Sequence, residues 1–154
     1  MITADDVAFL RRAIGIAAAA ITTGDDPYGS LLASPGGEIL IEAHNTVRRD
    51  RDITAHPELK LARWAARELD PERAARTTMY TSCQPCGMCQ GAIVRSGLGR
   101  VVYALSTEQW AQLNPGSEWP NVPSDGPALF DEARIPIDRH HPPQPPSGPS
   151  GQGD

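Results

Sequence analysis

TTMYTSCQPCGMCQGAIVRSGLGRVVYAL, residues 77–105, reads as a strand, a helix and a second strand. Thr77 to Thr81 is the first strand. Pro85 fits the first position of a helix, where a missing N–H forfeits no helical bond, and that helix runs over the cysteines to Ser96 and stops at Gly97. Arg100 to Leu105 sets Val101, Val102 and Tyr103 in succession, the pattern of a buried strand. Toward the N-terminus, Pro57 begins a helix that places Leu61, Trp64, Ala65 and Leu69 on one face and ends at Asp70-Pro71. Before it, Leu31–Ala33 and Glu38–Glu42 flank Pro35-Gly36-Gly37 as a hairpin. From Thr3 to Ile21, Val7, Leu10, Ile14, Ala18 and Ile21 recur at spacings of three and four, with Thr3 and Asp6 forming a capping-box-like start and Gly24 near the stop. This order of helix, hairpin, helix, strand, helix and strand predicts a sheet with helices on both faces.

Beyond Ser106 the pattern weakens. Thr107–Leu113 reads as a helix, Asn114–Pro127 as a long loop, Asp125–Ala133 as a further helix and Ile135–Asp138 as a short strand. Residues 141–154 hold five prolines, three glycines and no aliphatic side chain, so a disordered tail is expected after a domain spanning 1–140.

Composition narrows the function. The 154 residues suit one domain; 40% are hydrophobic and 21% charged, and no run of ~18 apolar residues offers a membrane span. Formal net charge is −5, and Lys60 is the one lysine, which argues against nucleic acid as the partner and for a small molecule. Arg48, Arg49 and Arg51 resemble a phosphate patch, but Asp50 and Asp52 interrupt them, so they read as a solvated loop. Cys83, Cys86 and Cys89 are too few and too closely spaced for a secreted disulfide framework. They point to a metal or redox site in a reducing, cytoplasmic setting.

Chemistry concentrates at His56-Pro57-Glu58 and Pro85-Cys86-Gly87-Met88-Cys89, each at an expected helix start. One imidazole and two thiolates supply three zinc ligands and leave a fourth tetrahedral position for water, as catalytic rather than structural sites do. A helix N-terminus favours the thiolate form of Cys86 and Cys89. Glu58, two residues from His56, is placed to act on that water rather than to bind the metal. A closed structural zinc site with Cys83 as fourth ligand is the competing reading.

The spacing H-x-E then P-C-x-x-C is the signature of zinc deaminases, and the likeness extends beyond it. The chain resembles the cytidine deaminase superfamily, in the branch of bacterial guanine deaminases and tRNA adenosine deaminases. Pro27-Tyr28-Gly29 is similar to that branch's Pro-Phe-Gly, and His44-Asn45 to its His-Asn or Asn-Asn. Asp52-Ile53-Thr54-Ala55-His56-Pro57-Glu58 resembles its Asp-Pro-Thr-Ala-His-Ala-Glu, and Ser82-Cys83-Gln84-Pro85-Cys86-Gly87-Met88-Cys89 its Ser-x-Glu-Pro-Cys-x-Met-Cys. Pro57 in place of alanine and Gln84 in place of glutamate are the two departures.

The resemblance implies an α/β fold, a three-layer α/β/α sandwich around a mixed sheet of about five strands. It implies Zn2+ on His56, Cys86 and Cys89, Glu58 as the catalytic proton carrier, and hydrolytic deamination of a free nucleobase or nucleoside with release of ammonia. Asn45, Pro27 and Tyr28 are the expected substrate contacts, and Trp110, Glu118 and Trp119 are candidates for a lid. A homodimer is expected by the same likeness. A tRNA adenosine deaminase and a non-catalytic Cys3His zinc module are the alternatives.

Overall fold

The computed structural model describes residues 2–116 and 122–141. The chain divides into two compact units, Met1–Glu118 and Trp119–Asp154. Glu118, Trp119 and the tail from residue 142 onward lie outside the described residues.

The first unit opens with α1 (Ala4–Ile21). Thr3 caps it through a reciprocal box: Asp6 N–H donates to Thr3 Oγ1 at 3.1 Å, and Thr3 N–H donates to Asp6 Oδ2 at 2.8 Å. There follow β1 (Gly29–Ala33), β2 (Ile39–His44) and the short α2 (Val47–Asp50). Next come α3 (Pro57–Glu68), α4 (Pro71–Arg76), β3 (Thr78–Cys83), α5 (Gly87–Arg95), β4 (Arg100–Leu105) and α6 (Thr107–Leu113). The strands lie in the order β2-β1-β3-β4; β1 is antiparallel to both neighbours, whereas β3 and β4 run parallel.

Strand β1 is buried along its whole length because both faces of the sheet are covered. Alternation sends Leu31 and Ala33, with Tyr80 and Val102, toward Leu10 and Ile16 of α1. Leu32 and Met79 face the opposite way, toward Leu61, Ala62 and Ala65 of α3 and Ile93 of α5. The three-layer α/β/α arrangement is thus as expected, and the sheet is mixed.

The buried face of α1 is not the one the spacing of large residues suggests. Leu10, Ala13, Ile16, Ala17 and Ala20 turn inward, while Ile14 and Ile21 are exposed. Small side chains let the helix backbone come close to the sheet at Gly29, where a Cβ would sit 2.5 Å from Ala17 N and 2.6 Å from Ala13 O. Only glycine opposite alanine admits that approach.

Three further expectations change. The helix over the cysteines starts at Gly87 with Cys86 as its N-cap, so Pro85 lies just before the cap rather than at the first helical position. The helices α2 and α4 were unforeseen; α4 begins at Pro71 under an Asp70 cap whose carboxylate accepts Arg73 N–H at 2.9 Å. Four strands are present among the described residues instead of about five, since the strand expected at Ile135–Asp138 belongs to α7 (Phe130–His140) in the second unit. There the alternation of Ile135 and Ile137 mimics a strand. Arg134 bonds Asp138 at 2.8 Å one helical turn on and stacks over Phe130, contacts that only helical spacing provides. Among the described residues no helix is long and apolar enough to cross a membrane.

Candidate metal centre

Two helix N-termini converge beneath the sheet. His56 is the N-cap of α3 and Pro57 its first residue, a position where proline's missing N–H has no helical partner to lose. Cys86 is the N-cap of α5, and Cys89 lies in that helix's first turn. The amide ends of both helices carry partial positive charge, which favours anionic sulfur beside them.

The three donors form one group, with His56 Nδ1, Cys86 Sγ and Cys89 Sγ within 4.8 Å of one another. The sulfurs are 3.5 Å apart, and Nδ1 lies 3.9 Å from Cys86 Sγ and 3.5 Å from Cys89 Sγ. A tetrahedral zinc with bonds of ~2.3 Å to sulfur and ~2.05 Å to nitrogen would hold its donors roughly 3.8 Å (S to S) and 3.6 Å (S to N) apart. The donor set therefore fits zinc in both chemistry and spacing. Cys83, half-buried at the end of β3, is not part of the group, and burial pushes its thiol up.

Proton affinities are strongly graded across the centre. Hydrogen bonding with Cys89, then with His56, draws Cys86 down to about 3, while the same sulfur contact and then burial push Cys89 up. His56 is raised, chiefly through its bond with Cys86. Glu58, in the first turn of α3 and buried, is raised because burial disfavours its charge. Its Oε2 lies 3.7 Å from Cys89 Sγ, and its Oε1 accepts from Thr81 Oγ1 at 3.2 Å.

Thr81 is itself fixed by Ser30, whose hydroxyl donates to Thr81 Oγ1 at 2.8 Å across the β1–β3 pair. This Ser30–Thr81–Glu58 relay escaped the sequence reading. Two polar residues on strands that are otherwise buried were its one signal, and the register that sets them opposite each other is a long-range property.

Of the expected substrate residues, Asn45, Tyr28 and Trp110 are linked in series. Asn45 is buried; its N–H donates to Tyr28 O at 2.9 Å, and its Oδ1 accepts Val47 N–H at 3.0 Å. Tyr28 is half-buried, with a phenol raised by burial and partly offset by a hydrogen bond from Trp110, and it senses the charges of Cys83 and Glu58. Trp110, half-buried on α6, thus reaches the same region. Pro27 is exposed immediately before Tyr28. Gln84 ties the end of β3 to the next element, accepting Thr107 N–H on Oε1 at 3.1 Å at the start of α6.

Metal-assisted hydrolysis is the chemistry that such donors serve when a buried carboxylate stands beside them, and the class they define on this fold is the zinc-binding deaminase domain. The model of the cytidine and deoxycytidylate deaminase zinc-binding region matches residues 3–105. The chain belongs to this family.

The guanine deaminase of Bacillus subtilis is 33% identical over 130 residues, covering 84% of this chain and 81% of that one. Its X-ray structure superposes with a TM-score of 0.70 at 28% identity, covering 87% of this chain and 92% of its own. A Schizosaccharomyces pombe protein named "Probable cytosine deaminase" is 35% identical over 115 residues, 73% of this chain and 67% of that one. Other relatives are much longer. The chain spans 25% of the tRNA(Ile)-lysidine synthase of Deinococcus deserti, at 33% identity over 80% of this chain. It spans 11% of the chloroplastic tRNA(adenine(34)) deaminase of Arabidopsis thaliana, at 31% identity over 91% of this chain.

Proposed function

We propose that the protein is a zinc-dependent hydrolytic deaminase of a free nucleobase or nucleoside, guanine-like or cytosine-like, that releases ammonia. The observation that carries the reading is Glu58: a buried carboxylate with raised proton affinity, anchored on one oxygen by Thr81 and presenting the other beside the donor group. His56, Cys86 and Cys89 would hold the zinc, which would supply a Lewis acid able to lower the pKa of a water toward ~7.

Glu58 Oε2 takes one proton from the attacking water and passes it to the ring nitrogen, then takes the second from the hydroxyl now on the ring carbon and passes it to the departing amine. The amino-bearing ring carbon gains the water oxygen and loses ammonia, leaving a keto base. Anchoring of Oε1 by Thr81 keeps Oε2 free for both transfers. Asn45 has its oxygen engaged by Val47, so it meets the base through its Nδ2 donors and selects an acceptor on the ring edge. Tyr28 and Pro27, with Trp110 behind the phenol, form the wall along which the ring lies.

A tRNA adenosine deaminase is the second reading, supported by the likeness to the Arabidopsis protein. It is disfavoured by the net charge of −5 and by the pairing of the nearby arginines. Arg48 bonds Asp26 at 2.9 Å, and Arg49 lies 4.0 Å from Asp25 and 3.6 Å from Asp50, so neighbouring carboxylates offset the charge of both arginines. A closed Cys3His module is disfavoured by the position of Cys83 outside the donor group. A homodimer in the cytoplasm completes the proposal, and sedimentation of the purified protein tests its oligomeric part.

The deciding experiment is ammonia release from guanine, cytosine, adenine, their nucleosides and an adenosine-bearing anticodon stem-loop. Turnover of a free base or nucleoside, reduced 10²-fold or more by Glu58→Ala at unchanged zinc content, supports the proposal. Turnover of the stem-loop alone would replace it with the tRNA reading.

A further inference from the structure

We propose that Lys60 is a positioning residue that fixes Asn45 in register with Glu58 by bonding the chain on both sides of the asparagine. The inference rests on the reading of Asn45 as the residue that contacts the base. Lys60 Nζ donates to His44 O at 3.0 Å and to Thr46 Oγ1, one residue before and one after Asn45. Thr46 Oγ1 in turn donates to Asp50 Oδ2, and Thr46 N–H bonds Ala55 O at 3.1 Å, which returns the loop to the start of α3.

The geometry has a specific consequence. Lys60 sits on α3, two residues after Glu58 and four after His56, so one helix carries a metal donor, the proton carrier and the brace for the base-reading amide. Asn45 lies at the end of β2, an edge strand of the sheet, and needs an external tie to hold its distance from Glu58. Its own N–H bond to Tyr28 ties it to the sheet, and beside the Thr46–Ala55 backbone bond the ammonium ties both of its neighbours to the helix that bears Glu58. Lys60 is half-buried, and it is the single lysine among fourteen cationic residues. A compact ammonium donates to two differently oriented oxygens, a task the planar guanidinium performs less well.

The test compares wild type, Lys60→Met, Lys60→Gln and Lys60→Arg, all with zinc content measured. Amide hydrogen exchange at Asn45 and Val47 is read first, with Leu31 and Tyr80 of the central strands as internal references. In Lys60→Met and Lys60→Gln, exchange at Asn45 and Val47 should accelerate about tenfold while the references hold. For whichever base or nucleoside the wild type deaminates, KM should rise roughly tenfold with kcat changed less than threefold, because the lost contact serves substrate and transition state alike. Lys60→Arg should recover part of both effects.

Unchanged exchange at Asn45 and Val47 overturns the proposal. So does accelerated exchange with an unchanged KM, which would reduce Lys60 to a scaffold contact. A wild type inactive on every compound strikes the deaminase reading instead, and the exchange rates still decide whether Lys60 holds Asn45.

Discussion

Asp6→Asn is an isosteric change that should remove a large part of the stability margin, and it probes the junction of α1 with the sheet. The Asp6 carboxylate is buried and accepts four hydrogen bonds: Tyr80 Oη and Arg100 Nη1 at 2.7 Å on Oδ1, and Thr3 N–H at 2.8 Å and Arg100 Nη2 at 2.9 Å on Oδ2. An asparagine has one acceptor oxygen, so whichever way its amide sits, two donors face an NH2 group and lose their partner. Hydrogen bonds to a charged acceptor contribute about 1.5–3 kcal/mol each, and the part-exposed Arg100 side chain puts this pair at the low end. A loss of roughly 3 kcal/mol at pH 7 follows, a sizeable share of a margin of about 5–15 kcal/mol. For a chain of this size it lowers Tm by roughly 6–12 °C.

The pH dependence has a definite sign. Arg100, against the opposing effect of burial, holds Asp6 far below the usual carboxylate range. Its stabilisation is complete above the unfolded value of ~3.9 and fades as pH falls through and below it toward the folded value. The gap between wild type and Asp6→Asn should therefore be constant from pH 7 to 5 and narrow below 4. Urea denaturation followed by tryptophan fluorescence at pH 7, 5 and 3 measures it. A gap under 1 kcal/mol at pH 7, or one that persists undiminished at pH 3, would refute the reasoning.

Zinc content should fall from about one per chain to under a fifth in Cys86→Ala by elemental analysis, while Cys83→Ala keeps its metal; the opposite pattern would make Cys83 the ligand. Gly29→Ala should destabilise by about 1–3 kcal/mol in thermal melts, since its Cβ would meet Ala17 N at 2.5 Å and Ile16 Cβ at 2.8 Å; an unchanged Tm would show that α1 can lift off the sheet without penalty.

Local features were the ones legible in the sequence. Thr3 and Asp6 announce the cap of α1, Pro57 the start of α3, and His56-Pro57-Glu58 and Cys86-Gly87-Met88-Cys89 the two halves of the donor set, because each is written within one or two turns of chain. Less legible was anything set by packing across the fold. The buried face of α1 is chosen by how closely Gly29 approaches it, a fact about β1 and not about the helix. Thr81 supports Glu58 only because the register of β1 and β3 brings Ser30 opposite it. Lys60 gains its bonds to His44 O and Thr46 Oγ1 only when the chain at Asn45 folds back onto it, a contact across fourteen residues or more. In α7, two isoleucines separated by a proline carry the period of a strand, and side-chain pairs one turn apart outweigh it.

Because α3 presents His56, Glu58 and Lys60 along a single rod, small displacements of that helix move all three as a rigid body and preserve their mutual distances. Both cysteines ride on the separate α5. The compliant coordinate of the centre is therefore the separation of the two rods, which is set where the buried small residues Ala62 and Ala65 of α3 pack in one cluster with Ile93 of α5. Enlarging a side chain at that seam would act as a wedge, stretching the sulfur-to-nitrogen distances while leaving the carboxylate, the imidazole and the ammonium in step.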